Sequence, residues 1–200
     1  MAPTASTTAP DSLFSLPTEL LTTLAESFPC RGPQIRTLAT LVYPRAAPVQ
    51  NLIIHGVEST GKSAVTARTL AALHDHDSAL DYAIVRSAEC VTARHLYERT
   101  VGAVADVVAG HLDGPPVARC ETLAALAVEL GRLLERYDGR MTRHEDGEDD
   151  GVADGKGRRR RFVLVFDGID RQREAPPTLL PALARLSETV TNINDPAEWQ

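Results

Sequence analysis

The chain has 200 residues, 43% hydrophobic and 24% charged, a composition that is ordinary for a globular protein and excludes collagen-like and wholly disordered chains. Its formal net charge of −6 disfavours direct binding of DNA or RNA by this chain alone, because such domains usually carry a basic surface. Its apolar runs, such as 162–166, are far too short to cross a membrane. No Lys or Arg precedes Arg31, so we expect no secretory signal and a cytosolic or nuclear protein.

The spacing of apolar residues predicts, in chain order, helices over 17–27 and 33–42, a buried strand over 51–55, a helix over 62–74, a strand over 81–86, helices over 91–110 and 120–137, a strand over 161–166 and a helix over 178–190. Residues 1–16 are predicted to be a disordered tail, because they are mostly Ala, Pro, Ser and Thr. Strands that alternate with helices indicate an α/β fold with a parallel sheet.

Two features stand apart from this alternation. The segment 138–161 holds six acidic residues between Glu145 and Asp154, followed by a run of Lys and Arg, which favours a disordered charged insertion. A basic nuclear-import patch, or mutual neutralisation of the two halves, remains an alternative. The three cysteines, Cys30, Cys90 and Cys120, are far apart and lack CxxC spacing, so we expect reduced, buried thiols rather than a metal site.

The strongest motif is G-x-x-x-x-G-K-[ST] at 56–63, between a predicted strand and a predicted helix. Its glycines allow a tight turn and a close approach to phosphate, and the backbone N–H groups at the helix start face the anion. Lys62 is expected to reach the terminal phosphates, and the Ser63 hydroxyl is expected to bind Mg²⁺. The candidate nucleotide-binding residues of this loop are Gly56, Val57, Glu58, Ser59, Thr60, Gly61, Lys62 and Ser63.

A second part of this site is predicted at the end of the apolar strand 161–166. Asp167 follows this strand and is expected to hold Mg²⁺ opposite Ser63, partly through water. Related ATPases usually carry a water-polarising Glu at the next position, which here is Gly168. Such general-base assistance is worth about 10²–10⁴ in rate. Asp170 is a possible substitute, although a helix N-cap or an outer-sphere contact is the expected role. The sequence therefore supports nucleotide binding better than hydrolysis and leaves enzymatic activity open.

Six segments together resemble the N-terminal AAA+ domain of origin recognition complex subunit 5, a eukaryotic replication initiator: 28–36, 54–63, 87–90, 120–122, 164–167 and 179–186. The resemblance covers about residues 28–190 and implies a P-loop NTPase, AAA+-like three-layer fold with a parallel sheet. It implies ATP and Mg²⁺ as ligands and places Arg31 near the adenine. The family also tends to lack the Glu after the strand Asp, in agreement with Gly168.

The resemblance further implies a nuclear ATP-binding subunit with little or no intrinsic hydrolysis. Its partners would be the other subunits of the origin recognition complex, and origin DNA would be contacted through that complex. Its role would be assembly on replication origins and initiation of DNA replication. A free P-loop NTPase, a kinase-like enzyme and a degenerate scaffold that no longer binds nucleotide are the alternatives.

The order of strands in this fold, 5-1-4-3-2, leads to a further expectation. The predicted strands 51–55, 81–86 and 161–166 correspond to the first three, and the fourth should lie between the first and the third. No apolar strand pattern follows Val190. We therefore expect a partial ATP-binding domain over 17–191, truncated before strand four, with a C-terminal loop over 192–200 and an unstable isolated chain.

Overall fold

The computed structural model describes residues 16–47, 49–109, 119–144, 160–172 and 176–194. These residues form the helices α1 (Thr18–Ser27), α2 (Gly32–Val42), α3 (Lys62–His76), α4 (Ala93–Ala109), α5 (Leu123–His144), α6 (Leu179–Ala184) and α7 (Leu186–Asn194), and the strands β1 (Leu80–Arg86) and β2 (Arg161–Asp167). The α/β class is confirmed. None of the described helices is long and apolar enough to cross a membrane.

The two strands form a parallel sheet in which both strands begin at one edge and end at the other. Leu80 lies opposite Arg161 at one end, and Arg86 lies opposite Asp167 at the other. A parallel pair requires a long crossover connection, and α4 and α5 lie in the chain between β1 and β2. Short 3₁₀ turns follow both strands, Ser87–Glu89 after β1 and Ile169–Arg171 after β2.

Helices cover both faces of the sheet, which gives the three layers expected from the sequence. Alternate strand residues face opposite sides: Ala83, Val85 and Phe162 belong to the larger core, which includes residues of α4 to α7. Tyr82 and Val163 belong to the core formed with α2 and α3. The largest fully buried side chains include Ile35, Leu70, Leu73, Leu80, Leu96 and Leu126.

The predicted buried strand 51–55 is wrong in the described structure. These five residues are exposed and have no strand assignment, and the Ile53 side chain is 80% exposed. An apolar run becomes a strand only where a neighbouring strand supplies hydrogen-bond partners. Within the described ranges the sheet consists of β1 and β2 alone, so the position that the fourth strand would fill between 51–55 and β2 contains no strand.

Several predicted boundaries also differ from the structure. The expected disordered insertion 138–161 is partly ordered: α5 continues to His144 and β2 begins at Arg161, whereas 145–159 lie outside the described residues. Helix 178–190 is instead the pair α6 and α7, which meet at Arg185. Residues 192–194, predicted as loop, extend α7, because no Pro stops the helix before Pro196. Residues 195–200 lie outside the described part.

The start of the chain and one cysteine also depart from expectation. Leu16, assigned to the tail, packs against the core formed by α2 and α3, while 1–15 lie outside the described residues. Cys90 and Cys120 are buried as predicted, but Cys30 is exposed. Cys30 lies in the turn between α1 and α2 with a φ of 64°. The Cys30 thiol is exposed because the residue lies in a turn rather than on a helix face that packs against the core.

The last two arginines of the basic run are bound by the fold. The Arg161 guanidinium donates to the carbonyl oxygens of Leu41 and Ala46 at 2.8 and 2.7 Å. Arg160 donates to the Tyr137 hydroxyl at 3.0 Å and lies 3.9 Å from the buried Asp81 carboxylate. A basic patch recognised by another protein would therefore have to rely on the residues before Arg160.

Candidate functional site

The loop 56–61 has the backbone conformation that its glycines predict. Gly56 and Gly61 have φ values of 147° and 81°, and Ser59 has a φ of 61°. These left-handed values favour glycine because a side chain there is strained. Gly61 is the N-cap of α3 without a side-chain cap, and its carbonyl accepts from the Val65 N–H at 2.9 Å. The first N–H groups of α3 are thus not capped by that residue's side chain, as an anion-binding helix start requires.

The Lys62 ammonium folds back over this loop. Its Nζ atom donates to the carbonyl oxygens of Gly56 at 2.8 Å and Val57 at 2.7 Å. The Thr60 hydroxyl donates to the same Val57 carbonyl at 2.8 Å. These contacts hold the cation at the loop, where a lysine contributes a compact charge with three donors.

Ser63 and Asp167 meet although 104 residues separate them in sequence. The Ser63 hydroxyl donates to Asp167 Oδ1 at 2.6 Å, because the end of β2 lies beside the start of α3. Mg²⁺ binds oxygen ligands octahedrally at 2.0–2.1 Å, which places neighbouring ligands about 2.9 Å apart. The two oxygens therefore fit a magnesium ion that takes its remaining ligands from phosphate and water. No cluster of three metal-binding side chains occurs in the described ranges.

Arg31 also contacts the phosphate loop, from the turn between α1 and α2. It precedes α2, and its guanidinium donates to the Thr60 carbonyl at 3.0 Å. This contact brings the turn between α1 and α2 next to the phosphate loop; the place near the adenine that the resemblance implies for Arg31 stays a prediction. The structure thus joins Arg31, Lys62, Ser63 and Asp167 in one region.

The turn after β2 adds a residue that the sequence did not predict. Gly168 has a φ of 65°, and the Arg171 N–H donates to its carbonyl at 3.0 Å. Arg171 then forms an ion pair with Glu58 in the phosphate loop. Gly168, not Asp170, is the N-cap of this turn, so the N-cap role expected for Asp170 is wrong. The only sequence signal for Arg171 is that an acidic residue within a phosphate loop requires a counter-ion.

Comparison with family models identifies the domain. A model described as an AAA ATPase domain matches residues 27–193, which include every residue of the site. The chain belongs to the AAA ATPase domain family. Comparisons with curated proteins and with solved structures gave no match. Membership supports a nucleotide-binding P-loop, typically with Mg²⁺, and names no particular member of the family.

Proposed function

We propose that the chain binds Mg-ATP at residues 56–63 and acts as a nucleotide-dependent assembly subunit with little or no hydrolysis. The observation that carries this proposal is the contact between Ser63 and Asp167 at 2.6 Å. It supplies the magnesium ligands at the start of α3, where backbone N–H groups and Lys62 bind phosphate. Mg²⁺ would neutralise charge on the terminal phosphates, and this chain's residues would bind and orient them.

Weak hydrolysis follows from the residue after Asp167. Gly168 has no side chain to polarise an attacking water, and its left-handed backbone starts the turn to Arg171. Asp170 lies in that 3₁₀ turn and is exposed to solvent. The high dielectric constant of water weakens the interaction of an exposed carboxylate with an attacking water molecule. ATP bound without turnover would stabilise one conformation of a complex, which is the role of a structural ligand.

The proposed complex is the origin recognition complex, in the nucleus. The six resembling segments and membership of the AAA ATPase domain family support this assignment. The net charge of −6 is consistent with DNA contact through other subunits. Co-expression with the remaining subunits tests the partners: ATP-dependent retention in the assembled complex supports the proposal, and absence from it contradicts the replication role.

Nucleotide binding is tested by titrating the full chain with Mg-ATP and comparing Lys62→Ala with wild type. Lys62→Ala is expected to abolish measurable binding, because charge-assisted contacts to phosphate are worth about 1.5–3 kcal/mol each. Lys156→Ala is the matched control, since Lys156 is the other lysine of the chain and should leave affinity unchanged. Retained affinity in Lys62→Ala would remove the site from this loop. Rapid steady-state hydrolysis by wild type would favour the free NTPase instead.

A further inference from the structure

An acidic side chain occupies a loop whose task is to bind anions. Glu58 lies between Gly56 and Gly61, so its carboxylate repels phosphate unless a cation neutralises it. The cation that it contacts is Arg171, through an ion pair between the guanidinium and the Glu58 carboxylate. Arg171 comes from the turn after β2, which also carries the magnesium ligand Asp167.

Fold stability does not explain this pair. The Arg171 and Glu58 side chains are 53% and 72% exposed, and exposed ion pairs contribute about 0–1 kcal/mol. The position of the ion pair points to a role in ligand binding, because the pair joins the phosphate loop to the turn that follows the magnesium ligand Asp167. The loop holds the side chains of three cations: Lys62 through two carbonyl oxygens, Arg31 through the Thr60 carbonyl and Arg171 through the Glu58 carboxylate.

We propose that Arg171 is a second phosphate-binding cation and that Glu58 is a built-in competitor, which holds Arg171 until a triphosphate displaces it. The proposal rests on nucleotide binding at residues 56–63 and deepens it. A guanidinium binds phosphate oxygens through paired N–H donors. A terminal phosphate carries more charge than one carboxylate, and in this proposal Arg171 binds the third phosphate, which ADP lacks. The exchange therefore favours triphosphates over diphosphates.

A simpler role for Arg171 makes a different prediction. If Arg171 only neutralises Glu58, its removal matters only while the carboxylate is present. If Arg171 binds phosphate, its removal weakens ATP binding even after Glu58→Gln. The comparison of Glu58→Gln with the double variant Glu58→Gln/Arg171→Ala therefore separates the two roles, and both substitutions lie at exposed positions that tolerate change.

The experiment measures Mg-ATP and Mg-ADP affinities of the full chain for wild type, Glu58→Gln, Arg171→Ala and the double variant. Glu58→Gln is expected to tighten ATP binding by about two- to fivefold, because it removes the competitor. Arg171→Ala in the Glu58→Gln background is expected to weaken ATP binding by at least about tenfold and ADP binding by less than about threefold. Arg132→Ala is the matched control, since Arg132 pairs with Glu129 on α5. A thermal melt verifies that each variant is folded.

Two results would overturn the proposal while leaving nucleotide binding intact. The first is an ATP affinity of the double variant within about twofold of that of Glu58→Gln, which reduces Arg171 to a neutralising charge. The second is no gain in ATP affinity from Glu58→Gln. If Lys62→Ala binds ATP as wild type does, or wild type does not bind it, the proposed function itself fails and this inference fails with it.

Discussion

Gly168 shows how one backbone angle limits the chemistry of this site. Its φ of 65° costs a residue with a side chain roughly 1–2 kcal/mol. A carboxylate at this position, the usual way to polarise water, would therefore strain the turn that positions Arg171. The lack of a carboxylate directly after Asp167 and the turn that leads to Arg171 are two consequences of the same glycine.

Gly168→Glu is consequently expected to destabilise the protein by about 1 kcal/mol and, if it changes ATP turnover, to raise it, because it supplies the carboxylate that the position lacks. Gly168→Asn is the control for the backbone angle, because Asn adopts left-handed conformations more readily. Chemical unfolding and single-turnover hydrolysis measure the two effects. Undiminished stability of Gly168→Glu together with rapid hydrolysis would show that the turn accepts the side chain.

The cysteines differ in exposure, because Cys90 and Cys120 are buried whereas Cys30 is exposed. Burial raises the pKa of the Cys90 thiol, against the opposing charge of Arg99, and burial also raises the pKa of Cys120. A raised pKa means less thiolate at any given pH, and the thiolate is the nucleophile. We expect a maleimide or iodoacetamide at neutral pH to label Cys30 alone in the native protein and all three cysteines in denaturant. Native labelling that persists in Cys30→Ser would contradict this.

The start of the sheet is held by a buried polar group between β1 and α5. Asp81 on β1 is almost fully buried, accepts a hydrogen bond from the Tyr137 hydroxyl, and lies 3.4 Å from His74 Nδ1. Arg160 also donates to the Tyr137 hydroxyl. A buried carboxylate requires such partners, so this cluster connects α5 and the residue before β2 to β1.

Tyr137→Phe is expected to lower the free energy of unfolding by about 1–3 kcal/mol, because it removes a hydrogen bond from a buried carboxylate. Urea denaturation provides the measurement. Tyr97→Phe is the matched control, because Tyr97 is also buried and lies on α4, whereas the hydrogen bond to Asp81 comes from Tyr137. The decrease in the free energy of unfolding should be clearly smaller for Tyr97→Phe. Equal effects of the two substitutions would show that the Asp81 cluster adds no stability.

Across the whole molecule, the segment 51–55 governs solution behaviour. Its residues are exposed rather than buried, so the expected destabilisation by buried unpaired backbone groups does not apply. Instead the segment exposes the apolar side chains of Leu52, Ile53 and Ile54, and Val57 two residues later is exposed as well. Such an unpaired apolar segment is a template for association. We therefore expect the 200-residue chain by itself to aggregate.

Ile53→Lys is expected to reduce aggregation, measured by light scattering, while changing the free energy of unfolding by no more than about 0.5 kcal/mol. Val128→Lys on α5 controls for the added charge at another exposed apolar position and should reduce aggregation less. Destabilisation by Ile53→Lys of more than about 2 kcal/mol would mean that this side chain is buried in solution, and hence that a strand pairs with 51–55.

The sequence by itself determined the features that depend on neighbours along the chain. The start of α3 at Lys62, the parallel order of β1 and β2 and the phosphate loop follow from apolar spacing and glycine positions, which act over a few residues. The proximity of Ser63 and Asp167 was also predictable, because the residue after the loop lysine and an Asp that follows an apolar strand are expected to bind the same Mg²⁺.

Only the tertiary structure decided the features that need a distant partner. The apolar run 51–55 reads as a strand, yet strand formation depends on an adjacent strand that no local pattern reports. The contacts of Arg171 with Glu58 and of Arg161 with the end of α2 join residues more than 100 positions apart. The sequence pattern placed Arg161 at the end of a charged insertion and predicted no role for Arg171, whereas chain folding placed an acceptor within reach of each guanidinium.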